Sequence, residues 1–429
     1  MFPEHFSFDS YEEALQNWID KNLNDEVFSP GFKRVSETLS PYRKRFEKEN
    51  IPIVTIGGTN GKGEVCGLLE RNLDQANYDV FMWCSPHILS VRERFSIRGK
   101  PIDGERLLNL LNNNKEKTKL LSYYEFLFLI FCEVVTEEIK SSKKPLILLE
   151  VGLGGRLDAT NVFNANVAAI VSIGRDHVKL LGPSLKNILH EKFGIAREGK
   201  PLISGVKQSF LRDELVTCSK SKGIELLDIY KEDPSLINKN YKICNLSVAR
   251  RVFGIVNTEH SATRATQNKL PFVEGPLWGR PIKMTTKDGQ FIFIGSHNLD
   301  GLRSLAEWVN GSTEYKFKRV ILGLSRSSKK EIVECLRLVQ ESRCLGEEIY
   351  LTRFNHPRAS DLELVKQAVT DVNKKSERKV KLDRDWKNII AKCSRSNDDE
   401  VILFTGSYFF IGCVLSDPYF KSLFNSSDS

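Results

Sequence analysis

A repeated order constrains this chain more than any other feature: a short continuous apolar run, a glycine-rich or polar turn, then a helical pattern. "IPIVTI" precedes "EVCGLLERNL", "PLILLEV" precedes a glycine-rich turn, and "VAAIVSI" precedes a polar loop and a helix. Such alternation predicts a parallel sheet covered by helices, and unbroken apolar runs suit strands buried on both faces. The pattern blurs after Glu191 to Gly205, and "LPFVEGPLWGRP" is a Pro/Gly-rich interruption, which reads as a boundary. It then resumes, with "FIFIG" before "LDGLRSLAEWV", "RVILGLS" before "KKEIVECLRLVQ", "EIYLTRF" before "ASDLELVKQAV", and a last strand in "EVILFTGS". A chain of 429 residues exceeds one ordinary core. Two α/β units are therefore expected, residues 1–278 and 279–429.

Composition narrows the function classes. With 41% hydrophobic and 28% charged residues, the chain reads as soluble and globular. Its formal charge of +8 comes from Lys and Arg spread along the whole length. Without a basic stripe or an aromatic platform a nucleic-acid partner is not expected, whereas an anionic small substrate fits. Nine cysteines occur without a C-x-x-C pair, which predicts reduced thiols rather than a zinc or disulfide framework. The first residues, "MFPEHFSFDSYEEALQ", carry acids and no apolar stretch, unlike a secretory signal. The most apolar run, "LLSYYEFLFLIFCEVV", is interrupted by Glu125 and is short for a membrane span. It reads as a buried helix, and the expected location is the cytoplasm.

Four segments of the first unit carry chemistry. "TIGGTNGKGEVCGLLE" places Gly57, Gly58, Gly61 and Gly63 between a strand and a helix, with Lys62 among them, the context a phosphate-binding loop requires. Only three residues separate Gly57 from Gly61, so the generic Walker spacing is not met, and a plain strand-to-helix turn is the bland alternative. In "EVGLGGRLDATN", Glu150 ends an apolar strand, where an open parallel sheet places its ligands. It is a candidate for Mg²⁺, against a structural ion pair with Arg156. Asp176 and His177 follow a third strand in "SIGRDHVKLLG". In "WCSPHILSVRERF", Ser85 offers an oxygen ligand, and Arg92 and Arg94 are placed to grip an anion. Lys192 in "HEKFGI" reads by itself as a solvated helix lysine. In the second unit, "GSHNLDG" sets His297 and Asn298 at a strand end, and Arg280 lies just past the boundary.

Together these segments resemble the folylpolyglutamate synthase and dihydrofolate synthase family, a branch of the Mur ligase superfamily. "GTNGKG", "SPHILSVRERFSIRGKPI", "YYEFL", "EVGLGGRLDATNV", "DHVKLLG", "EKFGI", "GSHNLDG" and "FTGS" follow the family's motif order from about Tyr11 to Val414. The resemblance implies an N-terminal P-loop ATPase-like domain with a parallel sheet, a C-terminal Rossmann-like α/β domain, and ATP bound between them. Gly58, Thr59, Asn60, Gly61, Lys62 and Gly63 would form the phosphate loop, with Lys62 on the β- and γ-phosphates. Ser85, Glu150 and His177 would be magnesium ligands. Lys192 matches a lysine that is carbamylated in this family and helps hold a second magnesium. Arg280 and His297 match residues that face nucleotide and glutamate, and Asn298 belongs to the same motif. Lys62, Lys192 and His297 are thus the implied catalytic residues.

The implied cofactors are ATP and two Mg²⁺, with K⁺ as a further cation. The implied partners are small molecules, a pterin carboxylic acid and L-glutamate, and the expected state is a monomer. The implied reaction makes an acyl phosphate from the substrate carboxylate and ATP, then an amide with L-glutamate. Two positions depart from the family pattern: Glu64 stands where Ser or Thr is usual, and Ile294 where Asp is usual. The alternative reading is accordingly a relative that binds nucleotide or folate without turnover. If Glu64 is tolerated, it should turn to solvent or pair with a cation.

Overall fold

The computed structural model describes residues 10–23, 32–258, 272–273, 282–286, 289–311, 316–325, 327–393 and 401–424. The chain divides between Trp278 and Gly279. Of the interruption "LPFVEGPLWGRP", all but Phe272 and Val273 lie outside the described residues, as does Arg280.

The first unit opens with α1 (Glu12–Asn22) and α2 (Phe32–Lys48), followed by β1 (Ile53–Gly57) and α3 (Lys62–Gln75). Next come β2 (Asp79–Trp83), the short β3 (Phe95–Ile97) and β4 (Lys100–Pro101), then α4 (Gly104–Asn113) and α5 (Tyr123–Glu138). β5 (Pro145–Glu150), β6 (Val167–Ile170), α6 (Val178–Leu181) and α7 (Leu185–Phe193) complete the middle of the unit. β7 (Pro201–Ser204), α8 (Ser209–Ser221), β8 (Glu225–Asp228), α9 (Ile229–Glu232) and α10 (Tyr241–Thr258) end it.

Its eight strands run in the order β4-β3-β2-β5-β1-β6-β7-β8. The pairs from β2 to β8 are parallel, and β3 and β4 extend the sheet antiparallel. All five β1 residues are buried because both faces of the sheet are covered, and successive residues point to opposite sides. Ile53 joins a core with Trp83, Phe95, Phe128 and Phe131, whereas Val54 joins Val65, Leu69 and Val248 on the other face. The apolar run around Glu125 is α5, buried over most of its length. Glu125 forms a capping box with Ser122 at the start of that helix and pairs with Arg34 at 2.7 Å, so the acid opens the helix rather than breaking it.

In the second unit, β9 (Ile282–Thr286) and β10 (Gly289–Gly295) form an antiparallel pair, and α11 (Leu299–Asn310) follows. β11 (Phe317–Gly323), α12 (Lys329–Glu341), β12 (Glu348–Thr352), α13 (Leu362–Asn373), β13 (Val380–Asp383) and α14 (Trp386–Cys393) alternate strand with helix. β14 (Val401–Gly406), α15 (Tyr408–Leu415) and α16 (Pro418–Phe424) end it. The order is β13-β12-β11-β14-β10-β9, parallel except for β9. Among the described residues, no helix is long and apolar enough to cross a membrane.

Candidate active site

The parallel order β2-β5-β1-β6 brings four strand ends together, each carrying one of the segments singled out from sequence. Ile56 of β1 lies opposite Glu150 of β5, and Gly57 lies opposite Ile170 of β6. Ser85 follows β2, the glycine loop follows β1, and His177 lies beyond β6.

The loop is held by specific contacts. Thr59 N–H donates to Ser172 O at 2.9 Å, and Asn60 N–H donates to Ser172 Oγ at 2.9 Å. Ser172 Oγ in turn donates to Asn60 O at 2.8 Å, and Gly174 N–H donates to Thr59 Oγ1 at 3.0 Å. Gly61, the residue before α3, has φ of 87°, a left-handed conformation that favours glycine. A Cβ there would also meet Asn245 Nδ2 at 2.7 Å. Because Gly61 has no side chain to cap α3, the amides of the first turn and the helix dipole are offered to an external anion.

Both lysines proposed from sequence converge on that loop. Lys62 Nζ lies 3.2 Å from Gly58 O and 3.4 Å from Thr59 O. Lys192 Nζ donates to the same Gly58 O at 2.9 Å, and Lys192 is only 4% exposed. The solvated-lysine reading of Lys192 therefore fails. Burial, with the charge of Lys62 second, pulls the Lys192 amine down to about 7.

Glu150 is buried and accepts Ser85 N–H at 3.0 Å. Burial pushes its carboxyl up to about 7, against the opposing pull of Lys62. A Cβ on Gly63 would stand 3.8 Å from both Glu150 oxygens, so the loop backbone runs directly past the acid. The alternative pairing of Glu150 with Arg156 does not form, because Arg156 pairs with Glu191 at 2.8 Å. His177 has φ of 47°. Its side chain is 52% exposed, with Nε2 3.7 Å from Asp176.

Two expectations need correction and a third is narrowed. Arg92 is not poised for an anion: it pairs with Glu12 at 2.9 Å and donates to Ile102 O at 2.7 Å. Arg94 is buried, donates to His87 Nδ1 at 2.9 Å, and lies over the Tyr123 ring. Glu64 does not turn to solvent; it is 4% exposed and accepts a 2.6 Å hydrogen bond from Asn245 Nδ2. Asn245 of α10 thus lies beside Gly61 and hydrogen-bonds Glu64.

Sequence reasoning also missed residues that shape the site. Asp158 is buried and accepts from Gly152 N–H, Leu153 N–H and Thr160 N–H, and also from the Thr160 and Tyr124 hydroxyls. It thereby orders the glycine-rich turn after Glu150. Its place inside "GLGGRLDAT" was a usable signal. Ser172, directly after an apolar run, was another, whereas nothing local marks Asn245.

In the second unit, Asn298 caps α11 by accepting Gly301 N–H at 2.8 Å, and its amide lies 3.3 Å from His297 Nε2. The His297 ring lies 5.5 Å from that of Tyr408. Gly295 leaves room for that tyrosine, since a Cβ there would meet Tyr408 Cε1 at 2.1 Å. Ile294 is buried in β10, and its carbonyl accepts from Thr405 Oγ1 at 2.8 Å.

Fold and site together define a phosphate-loop α/β protein, with an acid and two lysines converging where anionic phosphate and a divalent metal fit. No protein-family model matches the chain. Across 94% of its length it is 25% identical to the Bacillus subtilis dihydrofolate synthase/folylpolyglutamate synthase, covering 98% of that protein. The similarity to dihydrofolate synthase/folylpolyglutamate synthases thus runs through nearly the whole chain. The Escherichia coli protein of the same name is 35% identical over 195 residues, 44% of this chain and 45% of that one. A solved bifunctional folylpolyglutamate synthase/dihydrofolate synthase with Mn, AMPPNP and L-glutamate bound superposes with a TM-score of 0.73. It is 25% identical, over 94% of this chain and 97% of that one.

Proposed function

We propose that this chain is an ATP-dependent ligase joining L-glutamate to a pterin-bearing carboxylic acid, either dihydropteroate or a reduced folate. The observation that carries the reading is the meeting of Lys62 and Lys192 on one loop carbonyl, with Glu150 against the backbone of the same loop. An uncapped helix N-terminus and a lysine suit a triphosphate, and an acid at the adjacent strand end suits its metal. In this reading Gly58, Thr59, Asn60, Gly61 and Gly63 hold phosphate oxygens through their backbone. Lys62 swings from the loop carbonyls to the β- and γ-phosphates and stabilises charge on the transferring phosphoryl group.

Ser85, Glu150 and His177 would hold Mg²⁺, which when bound neutralises the phosphate oxygens. Burial and a neighbouring cation leave much of the Lys192 amine neutral near pH 7, the form that can add to CO₂. A carbamate there would exchange two adjacent cations for an ion pair and give a second metal an anionic ligand. His297 and Asn298 are assigned to nucleotide and glutamate by motif, and Arg280 likewise. The acceptor carboxylate attacks the γ-phosphorus and ADP departs. The glutamate amine then attacks the acyl carbon, and inorganic phosphate leaves with the amide formed.

The test is phosphate release by the whole chain with Mg-ATP and L-glutamate, comparing dihydropteroate, tetrahydrofolate and no acceptor. Release with dihydropteroate alone assigns a dihydrofolate synthase, release with tetrahydrofolate alone a folylpolyglutamate synthase, and release with both a bifunctional enzyme. ATP binding without release under any condition overturns the proposal in favour of a binding-only relative.

A further inference from the structure

We propose that His190, Glu214 and Cys218 form a second metal site, for a transition ion such as Zn²⁺, on the surface of the first unit. Glu214 and Cys218 are four residues apart on α8 and so share one helix face. His190 comes from α7. His190 Nε2 lies 3.2 Å from Glu214 Oε1, Cys218 Sγ lies 3.9 Å from His190 Nδ1, and Cys218 Sγ lies 4.0 Å from Glu214 Oε1. Zn–N and Zn–O bonds of about 2.0–2.2 Å and a Zn–S bond of about 2.3 Å imply tetrahedral ligand separations of roughly 3.3–3.8 Å. His190 meets Glu214 through Nε2 and Cys218 through Nδ1, and one ligand atom from each of the three residues lies within 4.8 Å of the other two, so a contraction of about 1 Å closes the group on an ion.

The carboxylate is already oriented for this. Glu214 Oε2 is held by Lys186 Nζ at 2.7 Å, which leaves Oε1, the oxygen facing imidazole and sulfur, for the ion. Such an outer contact fixes a metal ligand in place. One thiolate, one imidazole and one carboxylate select Zn²⁺ over Mg²⁺ or Ca²⁺, with water in the fourth position. The site differs from the candidate active site although α7 supplies both: Lys192 is buried against Gly58 O, whereas the His190 side chain is 49% exposed to solvent and meets Glu214 of α8. A bound ion would cross-link α7 to α8.

The test is a Co²⁺ titration of the chelator-treated full-length protein, followed by displacement with Zn²⁺. One equivalent should bring up a thiolate-to-cobalt charge-transfer band that Zn²⁺ abolishes and millimolar Mg²⁺ leaves untouched. Cys218→Ser and His190→Ala should lose the band while keeping the wild-type circular dichroism spectrum, and Cys344→Ser should retain it. No band saturating at one equivalent, or an equal band in folded Cys218→Ser, overturns the assignment. Ligase activity enters none of these readouts, so the site stands or falls apart from the proposed function.

Discussion

At the residue scale the position least predictable from sequence is Glu64. Its departure from the usual hydroxyl suggested a conflict with phosphate, but the carboxyl is buried and takes a hydrogen bond from Asn245. That partner lies 181 residues away, and no local pattern announces such a pair. Asn245→Ala removes this donor and the side chain that lies beside Gly61. It should destabilise the protein by about 1–3 kcal/mol and raise KM for ATP more than it lowers kcat. Denaturant titration and initial-rate kinetics check both, and an unchanged KM for ATP would detach Asn245 from the loop. If Lys62 serves the transferring phosphoryl group as proposed, Lys62→Ala should lower kcat by about 10²–10³-fold; wild-type phosphate release in this variant would sink the phosphate-loop assignment. Lys62 and Glu150 were legible as candidates from their own segments, whereas Lys192 reads locally as a surface residue and was a candidate only through the family resemblance.

At the element scale, the strands that carry the site were the readable ones. β1, β5 and β6 are continuous apolar runs because both their faces are covered, and burial on both sides leaves a signal that periodicity detects. β3, β4 and β13 left none: two to four residues are too few to establish a period. β8 is also short, and half-exposed along most of its length. The turn after β5 has a second constraint, since a Cβ on Gly155 would meet Glu191 O at 2.8 Å and Lys192 Cα at 3.1 Å. Close packing of that turn on α7 sets where Lys192 points. Gly155→Ala should push the two apart, costing about 1–3 kcal/mol and lowering kcat; a melting temperature and rate equal to wild type would show that the contact does not position Lys192.

At the scale of the whole molecule, stability should carry the signature of a buried acid remote from the proposed chemistry. Glu70 in α3 is buried and hydrogen-bonded to Ser96, and burial pushes its carboxyl from 4.5 up to about 7. The folded state then binds the proton more tightly than the unfolded state, so stability falls as pH rises from 4.5 through 7. The cost is absent below that window and complete above it, on the order of 3 kcal/mol. Glu70→Gln keeps the shape without the charge, so its stability relative to wild type should increase from pH 5 to pH 8. Urea denaturation at the two pH values measures this, and an equal difference at both would contradict it.

The sequence places the boundary between two α/β units in the interruption Leu270 to Pro281, because alternation stops and restarts there. Arg280, in that interruption, lies outside the described residues.

The central claim concerns a carboxylate activated by phosphoryl transfer, and isotope transfer tests it directly. Dihydropteroate or tetrahydrofolate labelled with ¹⁸O in the reacting carboxyl is incubated with the protein, Mg-ATP and L-glutamate, and the released phosphate is examined by mass spectrometry. The account predicts one ¹⁸O in phosphate for each amide formed. Phosphate that carries no label, in a reaction that still consumes ATP, would contradict it.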